Sequence, residues 1–416
     1  MNDSDLIKMS EAVRSFYEKY PYPGPVESLD NYKLHWQDLQ KRRADYHLYW
    51  PDKPFREDLS ILVAGCGTSQ AAKYAIRFPG ARVTGIDFSS KSISCTEKLK
   101  KKYDLENLNV VKLAVENIKE LGLNFDRIVC TGVLHHLPDP DAGLSALRQV
   151  LYPDGAMQLM VYAPYGRTGI YMMQKFCRLL DIPADEKGIG DLVRMLKGLP
   201  KGHPLETLIR NAPDFQYEEA LADALLNPQD RSYTVAQLFK LLEKSGMKFG
   251  RWVKQSMYSP RCGVLSQIPR AEKLMQLSPE EQYEAAELFR GTMVRHSLIA
   301  YRNDNSSGDK TSVSFKEGEW QRYIPIRMPD TLCIEEQLPE GAAAILINKN
   351  QYRDIYLPVD KAEKKLFKAI DGSISIEEIS NRIQQSSVRK SMPDVSHNFF
   401  EKLWWYDQIV FDTTGT

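Results

Sequence analysis

Between Asp58 and Ala163 the chain alternates short apolar runs with stretches of helical periodicity. Leu59 to Val63, Ala81 to Ile86, Asn109 to Leu113, Phe125 to Cys130 and Ala156 to Tyr162 are strand-length and rich in apolar residues, as in strands buried on both faces of a parallel sheet. Gln70 to Phe78, Lys91 to Tyr103 and Pro140 to Leu151 read as helices between them, the second with Ser89 as its N-cap. Pro153-Asp154-Gly155 reads as a turn before the last of these strands. This alternation predicts an α/β fold.

Outside that stretch the rhythm changes. Ser10 to Tyr20 has helical spacing with Val13, Phe16, Tyr17 and Tyr20 on one side, then enters Tyr20-Pro21-Tyr22-Pro23-Gly24, where X-Pro pairs impose extended backbone. Pro164 to Pro228 is long, largely helical and rich in turn signals. Thr234 to Ser245 reads as a helix capped by Ser232 or Thr234, and Lys248 to Lys254 and Met293 to Arg302 as strands around the helical Pro279 to Arg290. The polar run from Asn303 to Asp309 has linker composition. Beyond it, Gly341 to Ile347 and Gln408 to Asp412 are strand candidates, and Lys361 to Ile370, Ser375 to Ile383 and Ser396 to Tyr406 are helix candidates. The expected division is an N-terminal cap segment over 1–53, a core over 54–302 with a helical insertion at about 164–230, a linker over 303–314 and a small α+β module over 315–416.

The candidate chemistry gathers at Ala64-Gly65-Cys66-Gly67-Thr68-Ser69, between the first strand and the helix that starts at Gln70. A glycine turn there lets backbone N–H groups approach a ligand, and the helix N-terminus favours an anion. Asp87 ends the second strand roughly twenty residues after the glycines, where an acid reaches the two hydroxyls of a ribose. Together they imply a nucleotide-like ligand. A dinucleotide fingerprint would need a third glycine where Gln70 stands.

Four ordered motifs, V-A-G-C-G-T-S, V-T-G-I-D-F-S, F-D-R-I-V-C-T-G-V-L-H-H-L and L-Y-P-D-G-A, closely resemble the class I S-adenosylmethionine-dependent methyltransferases. The resemblance implies a Rossmann-like seven-stranded sheet whose last strand is antiparallel, S-adenosylmethionine as cofactor, and methyl transfer to an N, O or C nucleophile of a small molecule or of a peptide or protein side chain. It brings Ala64, Gly65 and Gly67 close to the methionine part of the cofactor, with Cys66, Ser69 and Gln70 in the same turn. It brings Asp87, followed by Phe88, to the ribose, and Thr131, Gly132 and Val133 beneath the amino-acid portion. The family commonly holds adenine through an Asp at the end of the third strand. Here that position is Ala114, which leaves Glu116 or the backbone of Val115 for the contact.

On the acceptor side, His135 and His136 follow the fourth strand, where a neutral imidazole takes a proton from an incoming nucleophile. Packing at a helix start is the alternative role for one of them. Tyr22 is the third catalytic candidate, and Tyr17, Tyr20 and Tyr22 are placed to line a cap over the substrate. Tyr162, Tyr165 and Arg167 leave the fifth strand at the expected substrate edge. Arg167 suits a carboxylate or phosphate, or else a surface ion pair. The insertion stands where class I enzymes place substrate-recognition elements, with a purely structural cover as the alternative. The C-terminal module resembles a winged-helix domain, and its D-G-S-I-S-I-E-E-I segment resembles small peptide-chaperone domains. Two other readings stay open: a cofactor-binding regulator whose C-terminal module reads DNA or engages a partner, and a nicotinamide-dependent oxidoreductase.

Charge and cysteine usage then narrow the partners. Lys plus Arg and Asp plus Glu are equal at 55 each, so no basic footprint points to nucleic acid. Six scattered cysteines without a C-x-x-C pair imply neither a zinc site nor a disulfide framework, and no metal is expected. No apolar run reaches membrane-spanning length and the N-terminus lacks a signal-peptide core, so the expected location is cytoplasmic, with no membrane partner. The expected partners are a small-molecule or peptide/protein substrate and a second copy of the chain through the C-terminal module.

Overall fold

The computed structural model describes residues 3–211, 217–304, 313–316, 318–385 and 392–415. Two compact units emerge: one holds 1–33, 57–249 and 287–304, the other 34–56, 250–286 and 305–416.

Seven strands form one sheet: β1 Ser60–Ala64, β2 Arg82–Asp87, β3 Leu108–Lys112, β4 Phe125–Thr131, β5 Leu151–Tyr162, β6 Met247–Trp252 and β7 Arg295–Arg302. Their order is β3-β2-β1-β4-β5-β7-β6. β1 pairs in parallel with β2 and β4, and β7 runs antiparallel along β5, as the family resemblance implied. The order reverses between β1 and β4, which opens a crevice at the carboxyl ends of those strands. β1 lies at the centre of the sheet, with Ile61, Leu62, Val63 and Ala64 all fully buried, so its sequence is continuously apolar.

One local expectation fails. Pro153-Asp154-Gly155 lies inside the long β5 rather than in a turn ahead of it. Opposite β4 the register steps from Phe125↔Leu151 to Arg127↔Ala156, so the intervening residues bulge outward. Tyr152, Pro153 and Asp154 are exposed there, and a bulge tolerates a proline that donates no hydrogen bond.

The 164–230 segment is helical, with helices Thr168–Leu179, Glu186–Lys197, Pro204–Asn211 and Glu218–Leu226. Ile170, Met173, Leu192, Leu205, Leu221 and Leu225 pack into a core of their own. Phe16 of the N-terminal helix Asp3–Lys19 and Tyr20 just after it are buried against Ile189 and Ala222 of this insertion. The Glu18 carboxylate of that helix accepts backbone N–H groups of Ser90 and Lys91 at 2.6 and 3.2 Å, at the start of helix Ser90–Tyr103. An acid at that end also meets the positive pole of the helix dipole.

The second unit contains β8 Ile324–Arg327, β9 Thr331–Ile334, β10 Ala344–Asn348, β11 Leu357–Val359 and β12 Ile409–Asp412, in sheets ordered β11-β10-β9 and β12-β8. Helices Lys361–Lys368, Ile376–Gln385 and Met392–Trp405 complete it around Leu346, Leu366, Phe367, Ile379, Phe399 and Phe411. The division differs from the one expected at 303–314, of which 305–312 lie outside the described residues. Residues 34–56 and 250–286 belong with the C-terminal module because its buried acids need them. Asp407, 1% exposed, accepts from Ser256 N at 2.9 Å and from Gln255 N and Arg251 Nη2 at 3.2 Å each. Arg43 pairs with Asp412 at 3.4 Å.

A buried acid also fastens the last part of the first unit. Glu287 accepts Val235 N at 2.8 Å, at the start of the capped helix Val235–Lys244, and meets His296 Nε2 at 3.1 Å on β7. Glu287→Ala would leave these buried donors without an acceptor, a loss of about 2–5 kcal/mol. Urea denaturation should show that drop, and a midpoint equal to wild type would refute this role.

Candidate functional site

Gly65 and Gly67 both take positive φ, +67° and +53°, as the turn between β1 and helix Gln70–Arg77 requires. A Cβ at Gly65 would stand 2.2 Å from Cγ2 of Val133, so only glycine lets this turn touch the end of β4. At Gly67 the neighbour is the N-terminal segment: a Cβ there would lie 3.6 Å from Pro23 Cδ. Thr68 Oγ1 donates to Pro23 O at 2.9 Å and Gly24 O at 3.1 Å, so the Tyr-Pro stretch lies against the glycine turn.

Asp87 sits beneath the same turn. Its Oδ2 accepts Gly67 N and its Oδ1 accepts Ser89 N, both at 2.9 Å. Burial pushes this carboxyl up from its ordinary range, against the pull of the backbone donors. Each oxygen keeps room for a further donor. Gln70 Nε2 donates to Thr131 Oγ1 at 2.6 Å, joining the helix start to the end of β4. Gly65, Gly67, Gln70, Phe88, Thr131, Gly132 and Val133 are half-buried, whereas Ala64, Cys66 and Ser69 are buried. The Cys66 thiol points into the core, 3.3 Å from where a Cβ on Gly85 would stand, so this residue offers a ligand its backbone only. Val115 is buried and Glu116 exposed at the start of the short helical turn Val115–Leu121.

Beyond β4 and β5 lies a buried polar cluster. His135 is fully buried, its ring 4.2 Å from that of His136 and 3.9 Å from that of Tyr162. Neither ring nitrogen of His135 has a hydrogen-bond partner among the described residues. Burial, with His136 and Arg167 adding to it, holds His135 well below the ordinary histidine range, so the ring is neutral. His136 Nδ1 lies 2.6 Å from Gln229 O. A carbonyl only accepts, so Nδ1 carries a proton.

Tyr17 OH donates to Asp223 Oδ1 at 2.6 Å, and Tyr162 OH to Oδ2 at 3.3 Å. Asn227 Nδ2 donates to Tyr17 OH and Asp223 Oδ1, both at 3.2 Å. Burial first, then the neighbouring Asp223 charge, keeps both phenols protonated.

Two expected substrate contacts are corrected by this geometry. Arg167 is neither free for a substrate anion nor in a surface pair. It is 6% exposed, donates to Asp230 Oδ2 at 2.8 Å and Tyr171 OH at 3.1 Å, and lies 3.5 Å over the Tyr162 ring. Tyr20 is packed in the apolar cluster with Phe16, Ile189 and Ala222. Tyr17 and Tyr162 are brought together by Asp223, Tyr22 stands half-buried beside the glycine turn, and Tyr165 is 40% exposed.

Asp223, Asn227 and Asp230 were absent from the sequence reading. A signal did exist for the first two: they stand four residues apart on the inner side of an otherwise apolar stretch, Ala220 to Asn227. A polar residue on a buried helix face needs a partner.

Residues 62–157 match the family model of the methyltransferase domain. An uncharacterized protein of Synechococcus sp. is 28% identical over 296 residues, covering 68% of this chain and 69% of that one. The ubiquinone biosynthesis O-methyltransferase of Paracidovorax citrulli is 26% identical over 160 residues, 37% of this chain and 60% of that enzyme, so the chain spans under two thirds of that relative's length. PKMT2 from Rickettsia typhi, solved in complex with AdoHcy, shares the fold with a TM-score of 0.63 and 14% identity, over 91% of this chain and 76% of that one. Residues 62–157 thus carry a class I S-adenosylmethionine-dependent methyltransferase domain. Its activity is methyl transfer from S-adenosylmethionine. Among the described residues no helix is long and apolar enough to cross a membrane.

The cradle implies a sharp consequence for cofactor affinity. Asp87→Ala removes a charged acceptor worth on the order of 1.5–3 kcal/mol per hydrogen bond. S-adenosylhomocysteine should then bind at least about tenfold more weakly in titration calorimetry. Unchanged affinity would sink the ribose assignment.

Proposed function

We propose that the methyl acceptor sits between Tyr17 of the N-terminal helix and the carboxyl ends of β4 and β5. The observation that carries this reading is the union, at one sheet edge, of the glycine cradle with the buried polar cluster around His135. The cradle suits the cofactor because Gly65 and Gly132 leave it without side chains and Asp87 retains acceptor capacity. In this reading Gly65 and Gly67 follow the methionine part, Asp87 takes the ribose hydroxyls, and Thr131, Gly132 and Val133 support the amino-acid portion. Val115 and Glu116 flank the adenine. Once bound, the cofactor supplies an electrophilic methyl group on a sulfonium.

The chain's own share is alignment, exclusion of water and a destination for a proton. Half-buried Tyr17, Tyr22 and Phe88 stand over the crevice, and Tyr17 is held by Asp223 and Asn227. His135 is neutral and unpartnered among the described residues, so its imidazole accepts a proton from the nucleophile, with His136 beside it. The acceptor is a small molecule or a group on a peptide. The N-terminal helix acts as the cover that completes the acceptor site.

Deleting residues 1–24 should abolish methyl transfer while far-ultraviolet circular dichroism retains the sheet-and-helix signal. Normal turnover by that variant would refute the cover. His135→Gln should lower kcat by about 10²–10⁴-fold, the usual contribution of a positioned proton acceptor. Affinity for S-adenosylhomocysteine should stay unchanged in that variant. An unaltered kcat would assign His135 to packing.

A further inference from the structure

Asp223 is 3% exposed, and every donor that reaches it is neutral: the hydroxyls of Tyr17 and Tyr162 and the amide of Asn227. Among the described residues no Lys, Arg or His forms an ion pair with it. Its neighbour Asp230 differs, because the buried Arg167 guanidinium lies against it at 2.8 Å. The cluster therefore holds two buried carboxylates and one buried cation, while the nearby His135 imidazole is neutral. A buried carboxylate held only by dipoles is costly, and a cation brought in by a ligand relieves that cost.

Three further features fit a cationic ligand. Oδ2 of Asp223 accepts a single hydrogen bond, at 3.3 Å, and a carboxylate oxygen takes two. The groups around it are aromatic: Tyr17 packs edge-on against Phe88 and His136, and Tyr162 lies against His135. Aromatic faces attract ammonium groups. Independently, His135 lies in van der Waals contact with the Tyr162 ring, with both nitrogens buried and unpartnered. A hydroxyl acceptor would satisfy the imidazole and leave the carboxylate charge unbalanced. An ammonium answers both.

We propose that the methyl acceptor is a primary or secondary amine, which docks as its ammonium form on Asp223 beside Tyr17 and Tyr162 and loses a proton to His135. This rests on the acceptor position given under Proposed function. The freed nitrogen lone pair forms the new N–C bond, the methyl–sulfur bond breaks, and its electron pair stays on sulfur. One proton moves to the imidazole and no redox partner is needed. The amine comes from a free small molecule or from a peptide or protein side chain, and both present the same ammonium.

The test uses the full chain loaded with S-adenosylhomocysteine, so binding is read without turnover. n-Butylamine and its isostere n-butanol are titrated by ligand-detected NMR into wild type and Asp223→Asn. Wild type should favour the amine by at least about tenfold, and Asp223→Asn should erase that preference while S-adenosylhomocysteine affinity holds. Should Asp223→Asn fail to fold, a second measurement on wild type decides. A cell extract is incubated with methyl-labelled cofactor, and small molecules are separated from protein before acid hydrolysis. Label on nitrogen supports the proposal, and the labelled fraction tells a free amine from a side chain. Equal or undetectable binding of both probes to the cofactor-loaded wild-type chain overturns the amine. So does label on oxygen, on carbon or on nothing. A protein that binds no cofactor overturns the reading beneath it instead.

Discussion

A buried carboxylate with both oxygens on backbone N–H groups is the constraint from which the site follows. Asp87 grips Gly67 on one side and Ser89 on the other, so the glycine turn and the start of helix Ser90–Tyr103 share one anchor. Burial makes that anchor expensive, and the directed backbone donors offset the cost. The turn is fixed from its other flank by Val133, which occupies the space a side chain at Gly65 would need. Close approach of β1 and β4 at their carboxyl ends is thereby built into two residue types.

Around this cradle the first unit spends much of its buried polar capacity near one edge of the sheet. Asp223 gathers Tyr17 from the N-terminal helix and Tyr162 from β5, and Asp230 gathers Arg167 and Gln174. Partly satisfied buried networks are costly, and they persist where a ligand completes them. Among the described residues His135, between Tyr162 and His136 with no partner on its ring nitrogens, is one incomplete member, and Oδ1 of Asp230 is another. The helical insertion accordingly does more than cover the sheet, because its helix Glu218–Leu226 supplies the carboxylate at the centre of the cluster.

The second unit follows the same rule with a different outcome. Asp407 is completed by Arg251, Gln255 and Ser256, and Asn348 Nδ2 donates to the Asp407 carbonyl. These bonds bring a segment from the middle of the chain into the C-terminal module. The polar run at 303–309 marks a change of composition, whereas the compact unit is drawn by buried charge.

The sequence by itself determined the strand–helix alternation, the antiparallel end of the sheet, the helical character of 164–230 and the glycine turn with its strand-end acid. Each is written in local terms: apolar periodicity, caps such as Ser89 and Thr234, and glycines where φ must be positive. Tertiary structure decided which polar groups meet. Tyr17 and Asp223 are 206 residues apart in sequence, and Arg43 and Asp412 are 369 apart, distances over which no periodicity carries information. It also reassigned Arg167 and Tyr20. Tyr20 is buried against Ile189 and Ala222 of the insertion, and Arg167 against Asp230 and the Tyr162 ring. A charge is placed by whichever buried counter-charge can reach it, and that is settled only when the whole chain has folded.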